Sequence, residues 1–195
     1  MSDVFDRNVF LVKEHVGMFR AASNYDIYDP ESGELLMECR EENLGLITRL
    51  LRFSDYKRNT PFDIRIRTTA GQQVVRVTRG ISIFLSNVRV LDGNDRHIGG
   101  FKQKFLSIGG AFNVLDTSDN PVCQLKGKWT GWDFRFMAGD QELAHVTKKW
   151  SGFGKEMFTS ADNYVLSISE SVPVEGVLRP LILGAVMCID MVLKE

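Results

Sequence analysis

The stretch VLDGNDRHIGGFKQKF, from Val90 to Phe105, carries the pattern that decides the fold. It returns as VLDTSDNPVCQLKGKW from Val114 to Trp129 and, in a shorter form, as FMAGDQELAHVTKKW from Phe136 to Trp150. Each copy has a short apolar entry, then Asp, Gly or Asn residues, then a strand that ends in Lys and an aromatic residue. Because Asp, Asn and Gly tolerate positive φ and bond their own backbone, they close tight turns. Each copy therefore predicts a β-hairpin.

Looser copies of the same unit flank these three. They comprise residues 27–33 leading into 34–40, residues 64–69 leading through a turn into 72–78, and a sixth hairpin that pairs 154–158 with 164–168. Apolar and polar residues alternate between Phe62 and Arg67, as expected for a strand with one buried face. Six hairpins predict about twelve strands in a mainly β domain that spans residues 1–195.

The segment RPLILGAVMCIDMVLK, from Arg179 to Lys194, predicts a helix over about 180–194. Pro180 suits a first helical turn, where its missing N–H costs nothing. Between Leu181 and Ile189 every residue is apolar or Gly, so this helix has no face for water. A bilayer core needs about 20 residues, and Asp190 would be costly there. We therefore expect a central helix inside a closed antiparallel barrel, with a membrane anchor as the alternative and no transmembrane span.

A second, shorter helix is expected from Glu41 to Phe53, where leucine and isoleucine recur at helical spacing. Gly45 within this segment weakens that pattern.

Composition excludes some classes of function. The 24 Lys plus Arg and 25 Asp plus Glu give a net charge of -1, so no global basic field attracts nucleic acid. The three cysteines are far apart and form no CxxC, which argues against a disulfide framework and a zinc site. The amino-terminal residues do not resemble a signal peptide, so a cytoplasmic location, at most peripheral at the inner membrane surface, is expected.

No pattern indicates an enzyme or a cofactor. His15, His97 and His145 do not share metal-ligand spacing with another His or Cys, and neither GxSxG nor a phosphate-binding loop is present. His145 lies within a repeat strand and is expected to be structural or on the surface. Cys188 is expected in the core, because a free cysteine behaves as a small hydrophobe.

The repeat places lysines in register. Lys104, Lys128 and Lys149 occupy equivalent positions, and Lys102 and Lys126 lie two residues before the first two, hence on the same strand face. If neighbouring hairpins pack in register, these lysines approach one another and could hold a phosphoinositide or another anionic phospholipid headgroup. The alternative is a solvated outer face on which lysines protect strand edges.

Two segments resemble the phospholipid scramblase family. LAHVTKKWSGFGKEMFTSADNYVLSI, from Leu143 to Ile168, is similar to its Lys-x-Trp-Ser-Gly strand end and the Asp-Ala-Asp-Asn segment that follows. LGAVMCIDMVLKE, from Leu183 to Glu195, is similar to its closing helix. The family lies in the tubby C-terminal-like superfamily, with the LURP-one-related proteins. That resemblance implies a twelve-stranded barrel around a central carboxy-terminal helix.

In scramblases the Asp-Ala-Asp-Asn segment is proposed as a calcium loop. An EF-hand loop needs oxygen ligands at positions 1, 3, 5 and 12 and Gly at position 6. Here position 1 is Ser160, position 3 is Asp162, position 5 is Tyr164, position 6 is Val165 and position 12 is Ser171. We therefore expect only a degenerate remnant, Asp162 with Asn163, and no metal site.

Three functions follow as hypotheses. The first is a non-enzymatic module that binds phospholipid headgroups or a membrane surface. The second is a barrel that binds a protein partner and has no role with lipids. The third is phospholipid scrambling, as in the family's namesake.

Overall fold

The computed structural model describes residues 3–15, 24–42, 60–80, 87–103, 112–128, 132–148 and 163–193. Of the expected helix from Glu41 to Phe53, only Glu41 and Glu42 fall within these ranges, and Glu41 ends a strand. The remainder of that prediction lies outside the described residues.

Twelve strands and one long helix account for most of the described chain. A short 3-10 helix, Asp3–Asp6, precedes them. The strands are β1 (Val9–Glu14), β2 (Tyr25–Tyr28), β3 (Leu35–Glu41), β4 (Phe62–Thr68), β5 (Gln73–Arg79), β6 (Asn87–Asp92), β7 (His97–Gln103), β8 (Phe112–Leu115), β9 (Pro121–Lys128), β10 (Asp133–Ala138), β11 (Gln141–Thr147) and β12 (Asn163–Ile168), and the helix is α1 (Leu178–Leu193).

The strands form a closed antiparallel barrel in which neighbours along the chain are neighbours in the sheet. The barrel closes where β1 pairs with β12, with Val9 opposite Ser167 and Lys13 opposite Asn163. The expected barrel of about twelve strands around a carboxy-terminal helix is therefore confirmed.

The pairing of one strand, β12, differs from the prediction. The sixth hairpin was expected to pair residues 154–158 with 164–168, but β12 has β11 on one side and β1 on the other. Both edges of β12 are thus occupied, and β1, which the repeat did not predict, is the twelfth strand. Residues 154–158 themselves lie outside the described residues.

The turn residues of the repeat act as expected. In the β6–β7 turn, Asp92 Oδ1 accepts hydrogen bonds from the N–H groups of Asn94 (2.8 Å) and Arg96 (3.0 Å). In the β8–β9 turn, Asp116 Oδ1 accepts from Ser118 and Asn120 at 2.8 and 2.9 Å. In both turns a second aspartate adopts the left-handed conformation, Asp95 at φ 58° and Asp119 at φ 61°. Residues at equivalent positions thus form the same hydrogen bonds in both turns.

The helix α1 fills the barrel. Its residues from Arg179 to Cys188 are all buried, including the long apolar run that left no face for water. A Cβ added to Gly184 would lie 3.2 Å from Val77 and 3.4 Å from Val90, so the glycine lets the helix approach the β5–β6 wall closely. The larger side chains of Tyr25, Phe134, Phe136 and Tyr164 occupy the core elsewhere. No helix in the described ranges is long and apolar enough to cross a membrane.

A buried arginine fixes the start of α1. Arg179 is only 2% exposed. Its guanidinium donates hydrogen bonds to the carbonyl oxygens of Phe5 (2.8 Å), Arg7 (2.9 Å) and Val172 (2.9 Å), and to Asn8 Oδ1 (2.8 Å). Burial lowers the pKa of Arg179, and the negative charge of Asp6 opposes that shift. One side chain therefore ties the helix to the amino-terminal segment and to the chain that follows β12.

The barrel has two different ends. One, here called the turn end, comprises residues 3–8, the tight turns 29–34, 69–72, 93–96, 116–120 and 139–140, and the segment 169–177 that leads into α1. At the other, here called the opposite end, β1, β3, β5, β7, β9 and β11 finish.

Candidate functional site

Two of the repeat lysines, Lys102 and Lys126, lie on the outer wall of the barrel in neighbouring hairpins. Lys102 on β7 and Lys126 on β9 are both exposed. Each follows an inward-facing core residue, Phe101 and Leu125, which are 5% and 3% exposed. Alternation along a strand therefore directs both lysines outward, as the repeat predicted.

The register gives their separation. Lys102 lies opposite Asn113 on β8, and Asn113 lies opposite Gln124 on β9. Lys126 is two residues beyond Gln124 on the same face. Two strand spacings and a two-residue step place the two lysine Cα atoms roughly 12 Å apart. The hairpins therefore bring these lysines onto one surface, with one intervening strand rather than as direct neighbours.

The structure describes less of the other repeat lysines. Lys128 is the last residue of β9, and its backbone lies opposite Asp133 on β10. Lys104 and Lys149 lie outside the described residues, so the register that includes them stays a prediction.

Arg89 on β6 extends the surface and was missed from sequence, because it precedes the first repeat copy. It is exposed, between the buried residues Val88 and Val90. It lies opposite Gly100, and Lys102 is two residues farther along β7 on the same face. Such diagonal neighbours are about 7–8 Å apart in an antiparallel sheet. Arg89, Lys102 and Lys126 are hereafter called the cationic face.

The three cations of the cationic face have no acidic partners among the described residues, unlike the described arginines on β3, β4 and β5. Within the described ranges, no carboxylate pairs with Arg89, Lys102 or Lys126. Elsewhere on the wall, arginines alternate with acids: Arg76 holds Asp63 through two hydrogen bonds of 2.8 Å, and Glu42 pairs with Arg65. Similar pairs join Arg40 to Asp26 at 2.6 Å and Arg67 to Glu42 at 2.5 Å. The described residues thus leave the positive charge on β6–β9 uncompensated.

A charged cluster on β10 and β11 borders the cationic face. Arg135 lies opposite Lys126 but donates to Glu142 at 3.0 Å, so its charge is compensated. His145 Nε2 lies 2.6 Å from Asp133 Oδ1, on the outer wall. His145 is therefore held by one surface carboxylate, as expected for a structural or surface histidine.

An aromatic cluster lies where β10 begins. Trp132 has φ 47° and is half-buried. Its ring stacks on Tyr164 at a centroid distance of 5.5 Å and meets Phe134 edge-on at 6.0 Å. The Lys148 ammonium sits over the same ring, 4.2 Å from its centroid. Trp132 thus packs as part of the barrel wall and is not the exposed tip of a turn.

The described part of the calcium-loop remnant belongs to a strand. Asn163 is 8% exposed and begins β12, and Tyr164 and Val165, at loop positions 5 and 6, are fully extended and buried. A strand alternates its side chains between two faces, whereas a calcium loop must turn several oxygens toward one centre. Asp162 lies outside the described residues. In the described ranges no cluster of three His, Cys, Asp or Glu residues could hold a metal ion.

The cysteines are buried thiols. Cys188 lies in α1 at 4% exposure, which confirms its expected place in the core, and Cys39 and Cys123 are buried in the wall. Burial raises the pKa of all three thiols, in Cys123 to about 12. Thiols of this kind are poor nucleophiles at neutral pH.

Comparison with known proteins agrees with the barrel. The family model described as Scramblase matches residues 9–195. Human phospholipid scramblase 2 is 23% identical over 153 residues, covering 71% of this chain and 51% of the human protein. The chain thus spans about half the length of that curated relative.

A crystal structure of an Arabidopsis thaliana protein resembles the fold, with a TM-score of 0.53 and 16% identity, covering 94% of this chain and 90% of that one. A twelve-stranded barrel closed around a carboxy-terminal helix is also consistent with the tubby C-terminal-like superfamily. Because the family model covers nearly the whole sequence, the chain belongs to the scramblase family.

Proposed function

We propose that this protein is a non-enzymatic scramblase-like module that binds anionic phospholipid headgroups peripherally, through the cationic face. The observation that carries the proposal is that Arg89, Lys102 and Lys126 have no acidic partner among the described residues, whereas the described arginines on β3, β4 and β5 are paired. Family membership supports a role with phospholipids.

The geometry suits a lipid headgroup better than a catalytic substrate. Three flexible cations spread over β6–β9 present a shallow positive surface, which suits the phosphates of phosphoinositides or the headgroup of phosphatidylserine. Each basic residue near an anionic membrane contributes about 1 kcal/mol. Three such residues give weak, salt-sensitive binding, to which Lys104, Lys128 and Lys149 would add if they face the same way.

Co-sedimentation with vesicles tests the proposal. Wild-type protein should bind vesicles of phosphatidylcholine that contain phosphatidylserine or a phosphoinositide, and should not bind phosphatidylcholine alone. The triple variant Arg89→Gln, Lys102→Gln, Lys126→Gln should bind roughly 100-fold more weakly, because it removes about 3 kcal/mol of attraction. Arg96→Gln is the matched control, since Arg96 is an exposed cation at the turn end.

Equal binding by the triple variant and wild type would reject the cationic face. No binding to any anionic vesicle would reject the lipid role and favour the protein-binding barrel. Scrambling, the activity of the family's namesake, is tested separately: flipping of a labelled lipid in proteoliposomes would show that more than peripheral binding occurs.

A further inference from the structure

A cavity of about 340 Å³ opens at the turn end. It lies where the 3-10 helix, the β4–β5 and β6–β7 turns and the segment before α1 meet. Its apolar lining includes Phe5, Val74 and Ile98, which are 2%, 7% and 8% exposed, and the buried Pro180. Val177 stands at its rim and is 47% exposed. The cavity is thus open to solvent and is lined by apolar and polar groups together.

The polar part of the rim is already fixed by hydrogen bonds. Gln73 Nε2 donates to the Asp92 carbonyl oxygen at 3.1 Å and to Asp95 Oδ1 at 3.0 Å. Arg96 Nε donates to Asp92 Oδ2 at 2.8 Å. These bonds join the β5 strand to the β6–β7 turn, so the cavity needs little rearrangement to accept an occupant.

Exposed apolar surface is concentrated at the same end. In the part of the chain that the structure describes, the exposed large hydrophobic residues are Val122, Val174 and Val177. Val174 and Val177 flank Glu175 in the segment that borders the cavity, whereas Val122 is the second residue of β9, beside the β8–β9 turn, and does not line the cavity. Apolar side chains grouped beside a hollow mark an interaction surface more often than apolar side chains scattered singly.

The negative charge of the turn end favours a basic occupant of this surface. At the turn end, the exposed carboxylates in the described ranges are Asp6, Glu31, Glu34, Asp95, Asp119, Asp140, Glu170 and Glu175, and the exposed cation is Arg96. Arg96 is itself paired with Asp92 at 2.7 Å. This potential repels an anionic membrane and attracts a basic chain.

The geometry points to a docking site for a basic segment of a partner protein, with an aliphatic side chain of that segment against Val177 at the cavity and its lysines or arginines against Glu175. The site is distinct from the cationic face and does not depend on the proposed lipid binding. The strands β6 and β7 contribute to both surfaces, and the cavity lies toward the turn end.

Fluorescent peptides of alternating composition test this inference on the full chain. A Lys/Leu peptide should bind at near-physiological salt, and Lys/Ser and Glu/Leu peptides should bind much more weakly or not at all. Amide NMR shifts on addition of the Lys/Leu peptide should fall on residues 72–74, 93–98 and 174–177. The Val177→Asp variant should weaken binding about tenfold, as expected when an apolar contact at the centre of an interface is lost.

Two matched variants distinguish binding at this site from nonspecific binding of the peptide. Val122→Asp changes an exposed valine that does not line the cavity and should bind as wild type does. Glu175→Lys should weaken binding more than Asp140→Lys, because Glu175 adjoins the cavity. The inference is wrong if no peptide binds, if Lys/Ser binds as well as Lys/Leu, or if Val177→Asp and Val122→Asp have equal effects.

Vesicle binding distinguishes this inference from the proposed function. Val177→Asp should sediment with anionic vesicles as wild type does. If instead it loses vesicle binding while the peptides never bind, the valines contact lipid and the partner-docking site is rejected.

Discussion

Arg179 shows how one residue can position a whole element. In the described ranges no carboxylate pairs with its guanidinium, and its N–H groups donate to oxygens of the 3-10 helix, of residues 7 and 8 before β1, and of the segment after β12. A positive charge at a helix amino terminus opposes the helix dipole, so this arginine does not stabilise α1 by charge. It acts instead by satisfying several buried carbonyl groups at once.

We therefore expect Arg179→Met to lower the free energy of unfolding by about 3–5 kcal/mol, because the oxygens it leaves would be buried and unpaired. Arg179→Lys should recover only part of the loss, since an ammonium cannot reach all of these acceptors. Urea denaturation measures the free energy of unfolding of both variants. Arg96→Met, at an exposed site, serves as the control and should change stability by about 0.5 kcal/mol or less. An equally small effect for Arg179→Met would contradict this role.

At the scale of elements, the hairpin turns depend on ionised aspartates. Burial raises the pKa of Asp92, but hydrogen bonds from Arg96 and Asn94 outweigh it and hold the pKa below its usual value. Hydrogen bonds from Asn120 and Ser118 likewise lower the pKa of Asp116. A carboxyl whose folded pKa is depressed stabilises the fold above its unfolded pKa and loses that contribution as pH falls through the folded value.

Acidification therefore provides a test of these turns. Wild type should lose stability as pH falls below about 4, where unperturbed aspartates take up protons. In the variant Asp92→Asn, Asp116→Asn the pH dependence should be flatter, because the amide oxygens stay unprotonated. Thermal unfolding from pH 5 to pH 3 measures the slopes. The control Asp140→Asn should keep the wild-type slope, and a wild-type slope in the double variant would reject the turn mechanism.

The sequence predicts these hairpins because their determinants are local. Asp92 and Asp116 are followed by their own hydrogen-bond donors, so a stretch of a few residues defines each turn. β1 and its pairing with β12 could not be predicted in this way, since no turn joins Val9–Glu14 to Asn163–Ile168. The sixth hairpin was misassigned for that reason: β12 has the pattern of a strand, but the pattern does not reveal which strand lies beside it.

The candidate site was predictable to a similar extent. The common spacing of Lys102 and Lys126 from their turns predicts that both face outward. Whether a cation is paired depends on the strand across from it, as with Asp63 and Arg76, and that register requires the structure. Arg89 and the cavity at the turn end were missed because both depend on contacts between distant parts of the chain.

At the scale of the whole molecule, the place of α1 determines how the protein can meet a membrane. The helix supplies the core of the barrel, so inserting it into a bilayer would require the barrel to open. Three buried thiols can report on such opening: Cys188 on the helix, and Cys39 and Cys123 on the wall.

Thiol labelling should therefore be negligible in the free protein and in the protein bound to anionic vesicles, for a membrane-impermeant reagent at neutral pH. In guanidinium chloride all three thiols should react, which confirms that the reagent is competent. Mass spectrometry of the labelled protein identifies each site. Rapid labelling of Cys188 after vesicles are added would show that the helix leaves the barrel and would contradict peripheral binding.

The pairing of β1 with β12 around α1 also bears on how the chain is synthesised. Ribosomes release the amino terminus first, so the hairpins can form one after another as they emerge. Core residues such as Phe10 and Val77 must nevertheless wait for α1, which follows all twelve strands, before their apolar surface is covered. Such long-range closure is slow and leaves intermediates prone to aggregation. We therefore expect the nascent barrel to need chaperones until α1 has emerged from the ribosome.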